Sequence, residues 1–195
     1  MLRHVGKVRP APGGMVNVGP IVDVTLSPCP VAQNDIIQSG MQVPYLPSKM
    51  MVDTGAQISC IEDQILSGPL GLKPIRFMPL TGVSGKAEMR PVYRMAIAIM
   101  MADSSGTNQG PAIFTADVVG VPSPETPQVH KGLLGRDFLM HVRFVYEGQK
   151  GEFQIIDTRT KPVGSGKSKT AFDRKKAKAK KKKQQQASRK KNRKK

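Results

Sequence analysis

The chain has 195 residues and a formal net charge of +17, but that charge is unevenly distributed. Residues 160–195 contain 17 Lys or Arg and one acidic residue, whereas residues 1–159 contain 14 Lys or Arg and 13 Asp or Glu. The body is long enough for one domain with a buried core. No window approaches the ~18 apolar residues of a membrane span, and the start lacks a secretory signal. We therefore expect a cytoplasmic protein without a membrane span.

The first third of the chain changes from loop-like to strand-like composition. Residues 1–19 are rich in Gly and Pro, and we expect them to form a flexible arm. Apolar and polar residues alternate over 21–26, which predicts a strand. Residues 27–47 contain four prolines, which predict loops and turns with an edge strand near Met41–Tyr45. A short apolar strand, Met50–Val52, follows.

The later predicted elements are short and are separated by Gly or Pro residues. We predict strands over 58–61, 74–80, 86–101, 112–121, 142–146 and 153–156, and short helices over 62–66 and 138–141. Short strands separated by Gly and Pro residues favour a mostly-β barrel or sandwich domain over residues 20–158. Apolar residues become scarce after Thr160, so we expect residues 159–195 to be a disordered Lys/Arg-rich tail.

One tripeptide is a candidate for catalysis. Asp53-Thr54-Gly55 directly follows the apolar strand Met50–Val52, and the small residue Ala56 comes next. A carboxylate at the end of a buried strand is costly to ionise unless another group pairs with it. Alone, the tripeptide is also typical of a turn in which Asp accepts backbone N–H bonds.

A second segment favours the catalytic interpretation. Leu133-Leu134-Gly135 is followed by Arg136-Asp137-Phe138-Leu139. Together with Met51–Ala56, this segment resembles the retropepsin-like aspartic proteases, which are single-domain relatives of pepsin. That family has a hydrophobic–hydrophobic–Asp-Thr/Ser-Gly-Ala loop and a later hydrophobic–hydrophobic–Gly-Arg/His-Asp/Asn motif. The resemblance covers residues 20–157 and includes a glycine-tipped hairpin between the two motifs.

The resemblance implies a fold and an activity. The fold is a retropepsin-like closed β-barrel or sandwich with one short C-terminal helix. The activity is that of a homodimeric aspartic endopeptidase without a metal or another cofactor. Asp53 would share a water with the Asp53 of a second subunit, and Thr54 would hydrogen-bond across the two-fold axis. Gly55 and Ala56 would support the active loop and lie close to the substrate backbone.

The resemblance also implies roles for two more segments. The hairpin tip Gly82-Val83-Ser84-Gly85 would be the flap that closes over the peptide. Leu134 and Gly135 would pack behind the catalytic loop, and Arg136 would brace it. Many family members pair this Arg with an acidic residue at the position of Gln57. Arg136 therefore needs another partner, for which Asp137, Glu62 and a backbone carbonyl are the candidates.

The number of catalytic carboxylates predicts the assembly. Amide hydrolysis by this chemistry uses two carboxylates that share one proton. The chain contains one Asp-Thr-Gly segment, so the site must be built from two copies around a two-fold axis. The expected substrate is an extended polypeptide with apolar side chains flanking the cut.

Two rival functions stay open at the level of sequence. The first is a non-catalytic dimerisation or binding module that keeps the loop without the activity. The second is a nucleic-acid-associated protein that acts through its tail. The basic residues over 167–195 attract phosphate backbones without reading sequence, and no aromatic residue lies within the run Lys176–Lys195 for base stacking. The scattered Cys and His residues predict no metal site.

Overall fold

The computed structural model describes residues 2–8, 19–82, 85–103, 106, 108–125 and 128–159. All of them belong to the unit Met1–Thr160. The second unit, Lys161–Lys195, lies outside the described residues, and so does the predicted disorder of the tail.

Strands dominate the described residues. The strands are β1 Arg3–Lys7, β2 Ile21–Pro28, β3 Leu46–Val52, β4 Cys60–Glu62, β5 Arg76–Thr81, β6 Ala87–Ala102, β7 Gln109–Val121, β8 Gly132–Leu134, β9 Val142–Glu147 and β10 Glu152–Asp157. The helices are α1 Pro30–Gln38, α2 Asp63–Ser67 and α3 Arg136–Leu139. None of the helices in the described ranges has the length and apolar character that a bilayer span requires.

Six strands close into a barrel in the order β2-β3-β8-β4-β7-β6, with β2 pairing back onto β6. Strands β1, β10 and β9 extend the sheet beyond β6, and β5 pairs with β6 as a hairpin. Because the barrel is closed, each of these six strands has a neighbouring strand on both sides, with which its backbone N–H and C=O groups can form hydrogen bonds. The prediction of a mostly-β, closed barrel with a short C-terminal helix is confirmed.

The barrel core follows from the alternation of apolar residues along β6. Met95, Ile97, Ile99 and Met101 occupy every second position, and each is at most 1% exposed. Because successive side chains of a strand point to opposite faces, these four enter the interior together. Full burial of each such side chain contributes about 2 kcal/mol of transfer free energy. The core therefore fixes which face of β6 points inward.

Three regions differ from their predicted structure. The edge strand predicted near Met41–Tyr45 is absent from these described residues, and β3 begins only at Leu46. Residues 30–38, predicted as loop, form helix α1. Pro30 is compatible with this helix because it stands at the start, where a missing N–H costs nothing.

Part of the predicted flexible arm is strand β1, which pairs with β10 from Arg3 to Lys7. Gly6 lies opposite Phe153, whose ring would be 2.2 Å from an added Cβ. The remainder of the arm, residues 9–18, lies outside the described residues.

Candidate active site

The Asp53 loop and the second motif lie side by side. Strands β3 and β8 pair in parallel, with Met51 opposite Leu133 and Val52 opposite Leu134. The backbone N–H of Asp53 then donates to the carbonyl oxygen of Leu134 at 3.0 Å. Asp53 therefore comes directly after the end of β3, and a hydrogen bond to the backbone of the second motif fixes its position.

The loop itself orients the Asp53 carboxylate. The backbone N–H of Gly55 donates to Asp53 Oδ1 at 2.8 Å, which closes a tight turn. Asp53 is half-buried, whereas Thr54 and Gly55 are exposed in the single chain. An added Cβ at Gly55 would lie 3.2 Å from Asp53 Oδ1. A side chain at position 55 would therefore crowd the carboxylate that this turn orients.

The second motif contacts the far side of the loop as well. The backbone N–H of Arg136 donates to the carbonyl oxygen of Ala56 at 2.9 Å. Gly135 packs against the backbone between Ile58 and Ser59, and an added Cβ there would lie 2.6–2.9 Å from its atoms. Only glycine fits at this crossing without a backbone shift.

Asp137 rather than the Arg136 guanidinium joins the motif to the loop. Its carboxylate accepts hydrogen bonds from the backbone N–H of Ser59 at 2.9 Å and from the Ser59 hydroxyl at 2.8 Å. The Arg136 side chain is exposed and has no ion pair with any residue in the described ranges. Arg136 takes part through its backbone N–H instead.

Glu62, the other suggested partner of Arg136, is occupied elsewhere. Its side chain is 8% exposed and forms an ion pair with Lys131 at 3.1 Å. Its second carboxylate oxygen accepts a hydrogen bond from the Ser123 hydroxyl at 2.8 Å. A buried carboxylate needs such partners, and these two tie the segment before β8 to the end of β4.

A pocket lies over the paired strands β3, β8 and β4. Met51, Leu133 and Cys60 are paired across β3, β8 and β4, so their half-buried side chains form a row on one face. This row lines a cavity of about 360 Å³, together with Glu62, Val121, Pro122, Pro124, Gln128, His130, Lys131 and Gly132. Met51 precedes Asp53 by two residues, but none of the loop residues 53–59 lines the cavity. A pocket with an apolar floor suits an apolar side chain of a ligand.

Two groups in this pocket have shifted pKa values. Burial raises the pKa of the Cys60 thiol; a backbone hydrogen bond at Leu133 partly opposes the shift, and the charges of Asp53 and Asp137 add to it. Burial also lowers the pKa of His130, although the charge of Glu62 opposes that change. Burial therefore favours the neutral form of both groups.

The predicted flap is the end of the β5–β6 hairpin. The ladder runs from Arg76 opposite Val92 to Thr81 opposite Ala87. The backbone N–H of Gly85 then donates to the Gly82 carbonyl oxygen at 3.0 Å. Gly85 has φ of +73°, a conformation that favours glycine. The other two predicted flap residues, Val83 and Ser84, lie outside the described residues.

The sequence analysis expected Leu134 and Gly135 to pack behind the Asp53 loop, but it did not identify Ser59. Its hydroxyl is fully buried and also accepts a hydrogen bond from the Gly135 N–H at 3.0 Å. The available signal was a polar residue between Ile58 and Cys60, in a segment predicted to be a buried strand. Within the described ranges, no cluster of three His, Cys, Asp or Glu side chains is arranged to hold a metal ion.

No protein-family model matches the chain, and no curated protein matches it.

Proposed function

We propose that the protein is an aspartic endopeptidase of the retropepsin-like kind, in which Asp53 from each of two subunits supplies one catalytic carboxylate. The observation that carries the proposal is the junction of the two motifs, where the Asp53 N–H donates to the Leu134 carbonyl oxygen. This junction presents a carboxylate on a partly exposed turn, two residues after Met51, which lines a pocket with an apolar floor. The retropepsin-like assignment also rests on the motif resemblance.

The proposed reaction uses water and two carboxyl groups that share one proton. The ionised carboxylate removes a proton from the water as its oxygen bonds to the scissile carbonyl carbon. The protonated carboxyl gives its proton to the carbonyl oxygen, which forms a tetrahedral diol. The diol then collapses: the C–N bond breaks, the carboxyl that took the proton of the water gives it to the amine nitrogen, and a diol hydroxyl returns a proton to the other carboxylate.

The proposal requires a second copy of the chain. Two carboxylates are needed and each chain supplies one Asp-Thr-Gly segment, so an isologous dimer completes the site. Thr54 and Gly55 are exposed in the single chain, which leaves the turn available for contact with its symmetry mate. A pair of acids that shares one proton is active at acidic to mildly acidic pH, and its activity declines toward pH 9.

A peptide-library digestion tests the proposal. Wild-type protein and Asp53→Asn are each incubated with a random peptide library, with and without pepstatin, and the fragments are read by mass spectrometry. We expect fragments from the wild type alone, and their loss with pepstatin. Asp53→Asn keeps an oxygen that can accept the Gly55 N–H, so its fold should persist. Equal cleavage by both proteins would refute the catalytic role of Asp53.

We also propose that residues 160–195 bind nucleic acid without sequence preference. The observation in favour is the charge of that segment, with 17 Lys or Arg against one acidic residue. Nucleic acid carries dense phosphate charge and releases counterions when lysines neutralise it. The segment from Arg174 to the end contains no aromatic residue and no aliphatic residue larger than alanine, so an anionic bilayer would gain no apolar insertion from it.

A salt titration tests the nucleic-acid proposal. The logarithm of the association constant for single-stranded RNA should fall linearly with the logarithm of the salt concentration. In a variant with the lysines of residues 175–183 changed to glutamine, the slope should become shallower. Binding to vesicles of anionic lipid but not to RNA would contradict the proposal, and so would binding that does not depend on salt.

A further inference from the structure

The loop from Asp53 to Ser59 lies between β3 and β4 and is attached to the second motif at three places. The Asp53 N–H donates to the Leu134 carbonyl oxygen at 3.0 Å, and the Arg136 N–H donates to the Ala56 carbonyl oxygen at 2.9 Å. The third attachment is at Ser59. The first two attachments join backbone atoms, so side-chain substitution leaves them in place. The third depends on side chains.

The third attachment is a closed set of hydrogen bonds between Ser59 and Asp137. Asp137 Oδ2 accepts from the Ser59 N–H at 2.9 Å, and Asp137 Oδ1 accepts from the Ser59 hydroxyl at 2.8 Å. The same hydroxyl accepts from the Gly135 N–H at 3.0 Å, and Oδ1 also accepts from the Phe138 N–H at 2.8 Å. We call these contacts the Ser59–Asp137 clasp. The Ser59 side chain is fully buried, so water cannot replace these bonds.

We propose that Ser59 and Asp137 are positioning residues for the Asp53 carboxylate. The clasp fixes the end of the loop opposite Asp53, so its loss lets the turn that carries Asp53 shift. A displacement of about 1 Å in a reacting group reduces turnover on the order of 100-fold, although substrate still binds. The inference rests on the proposed function, because it concerns the geometry of that site.

The clasp takes the bracing role that the motif resemblance assigned to Arg136. The Arg136 side chain is exposed and forms no ion pair with the described residues. Asp137, the next residue, is directed at the loop instead. Gln57, at the position where many family members carry an acid, leaves no carboxylate there for a guanidinium to pair with.

Steady-state kinetics of three variants test the proposal. Ser59→Ala, Asp137→Asn and the double variant are each expected to lose about 10- to 100-fold in kcat, with KM within about threefold of wild type. Because the two side chains act as one unit, the double variant should lose no more than the more impaired single variant. Matched controls are Ser39→Ala, which removes an exposed hydroxyl at the end of α1, and Asp23→Asn, which removes an exposed carboxylate on β2. Unchanged kcat in both single variants would overturn the proposal, and so would a loss in Arg136→Gln that neither clasp variant shows.

Hydrogen exchange gives a second readout that does not need turnover. Ser59→Ala should speed amide exchange over residues 53–59 and 135–138, whereas β6 should exchange as in wild type. Unchanged exchange in the loop would refute the clasp whatever the activity. If exchange is faster in Ser59→Ala but the wild-type protein cleaves no peptide, the clasp is supported and the proposed function is rejected. If Ser59→Ala does not fold, Asp137→Asn supplies the same measurement, because its side-chain oxygen can still accept one bond.

Discussion

Asp137 holds Ser59 through both of its carboxylate oxygens, at 2.9 Å from the backbone nitrogen and 2.8 Å from the hydroxyl. The two residues are 78 positions apart, so the contact joins the loop after β3 to the helix after β8. Around this contact lie the crossing at Gly135 and the turn that carries Asp53. The stability of this region therefore depends on the tight packing of backbone atoms at the Gly135 crossing.

Gly135→Ala should destabilise the protein by about 1–3 kcal/mol, the usual cost of forcing extra volume into a packed site. The added Cβ would lie 2.6 Å from the carbonyl carbon of Ile58 and 2.9 Å from the nitrogen of Ser59. These are backbone atoms, so no side-chain rotation relieves the contact. Urea unfolding measures the change, with Gly110→Ala as the matched control because its Cβ would meet nothing within 4 Å. Equal midpoints for the two variants would contradict the described crossing.

Tyr93 should ionise only at high pH. Burial, together with its hydrogen bond to Asp63, raises the pKa of the Tyr93 phenol to about 12. Because the folded-state pKa is raised above the unfolded value near 10, this contribution to stability is complete below pH 10. It is lost as the pH rises toward 12. Phenolate absorbance and urea midpoints at several pH values measure the effect.

The control for Tyr93→Phe is Tyr146→Phe, which alters an exposed tyrosine. Only the Tyr93 variant should lose the rise in phenolate absorbance near pH 12. Only this variant should also lose the part of the fall in stability above pH 10 that comes from ionisation of Tyr93. If the absorbance rise near pH 12 disappears in the Tyr146 variant instead, the raised pKa belongs to Tyr146 and not to Tyr93.

Cys60 should react slowly with iodoacetamide in the folded protein. Burial raises the pKa of its thiol, so less of the reactive thiolate is present near neutral pH than in the unfolded chain. Because Cys60 lines the same cavity as Met51, which stands two residues before Asp53, forced alkylation should also block peptide turnover. Mass spectrometry measures the labelling rate with and without urea.

The Cys60→Ala variant separates this effect from labelling at Cys29, the other free cysteine. Turnover by Cys60→Ala should not respond to the reagent. Inhibition that persists in this variant would show that the modification acts outside the pocket.

Strands bounded by Gly or Pro were predictable from sequence, because alternation and turn residues are local signals. The hairpin β5–β6 and the strands β9 and β10 were predicted within a few residues of their bounds. Helix α1 was missed because prolines normally indicate loops, although Pro30 occupies the one helical position that tolerates proline. Strand β1 was missed because its pairing with β10 comes from the opposite end of the chain.

The candidate site was predictable only in part. The motifs around Asp53 and Gly135 stand out because each has several fixed residues in a row. Ser59 did not stand out, because its role depends on a carboxylate 78 positions later. The role given to Arg136 came from the resemblance alone, and the structure directs its guanidinium to the exterior. Contacts of high sequence separation leave no local pattern.

The central claim is that two Asp53 carboxylates from two chains form one active site. Wild-type protein is unfolded and refolded with increasing shares of Asp53→Asn, and peptide turnover is measured at constant total protein. Mixed dimers carry one carboxylate and should be inactive, so turnover should follow the square of the wild-type fraction, about one quarter at an equal mixture. Turnover proportional to the wild-type fraction, about one half at an equal mixture, would contradict a site shared between two chains.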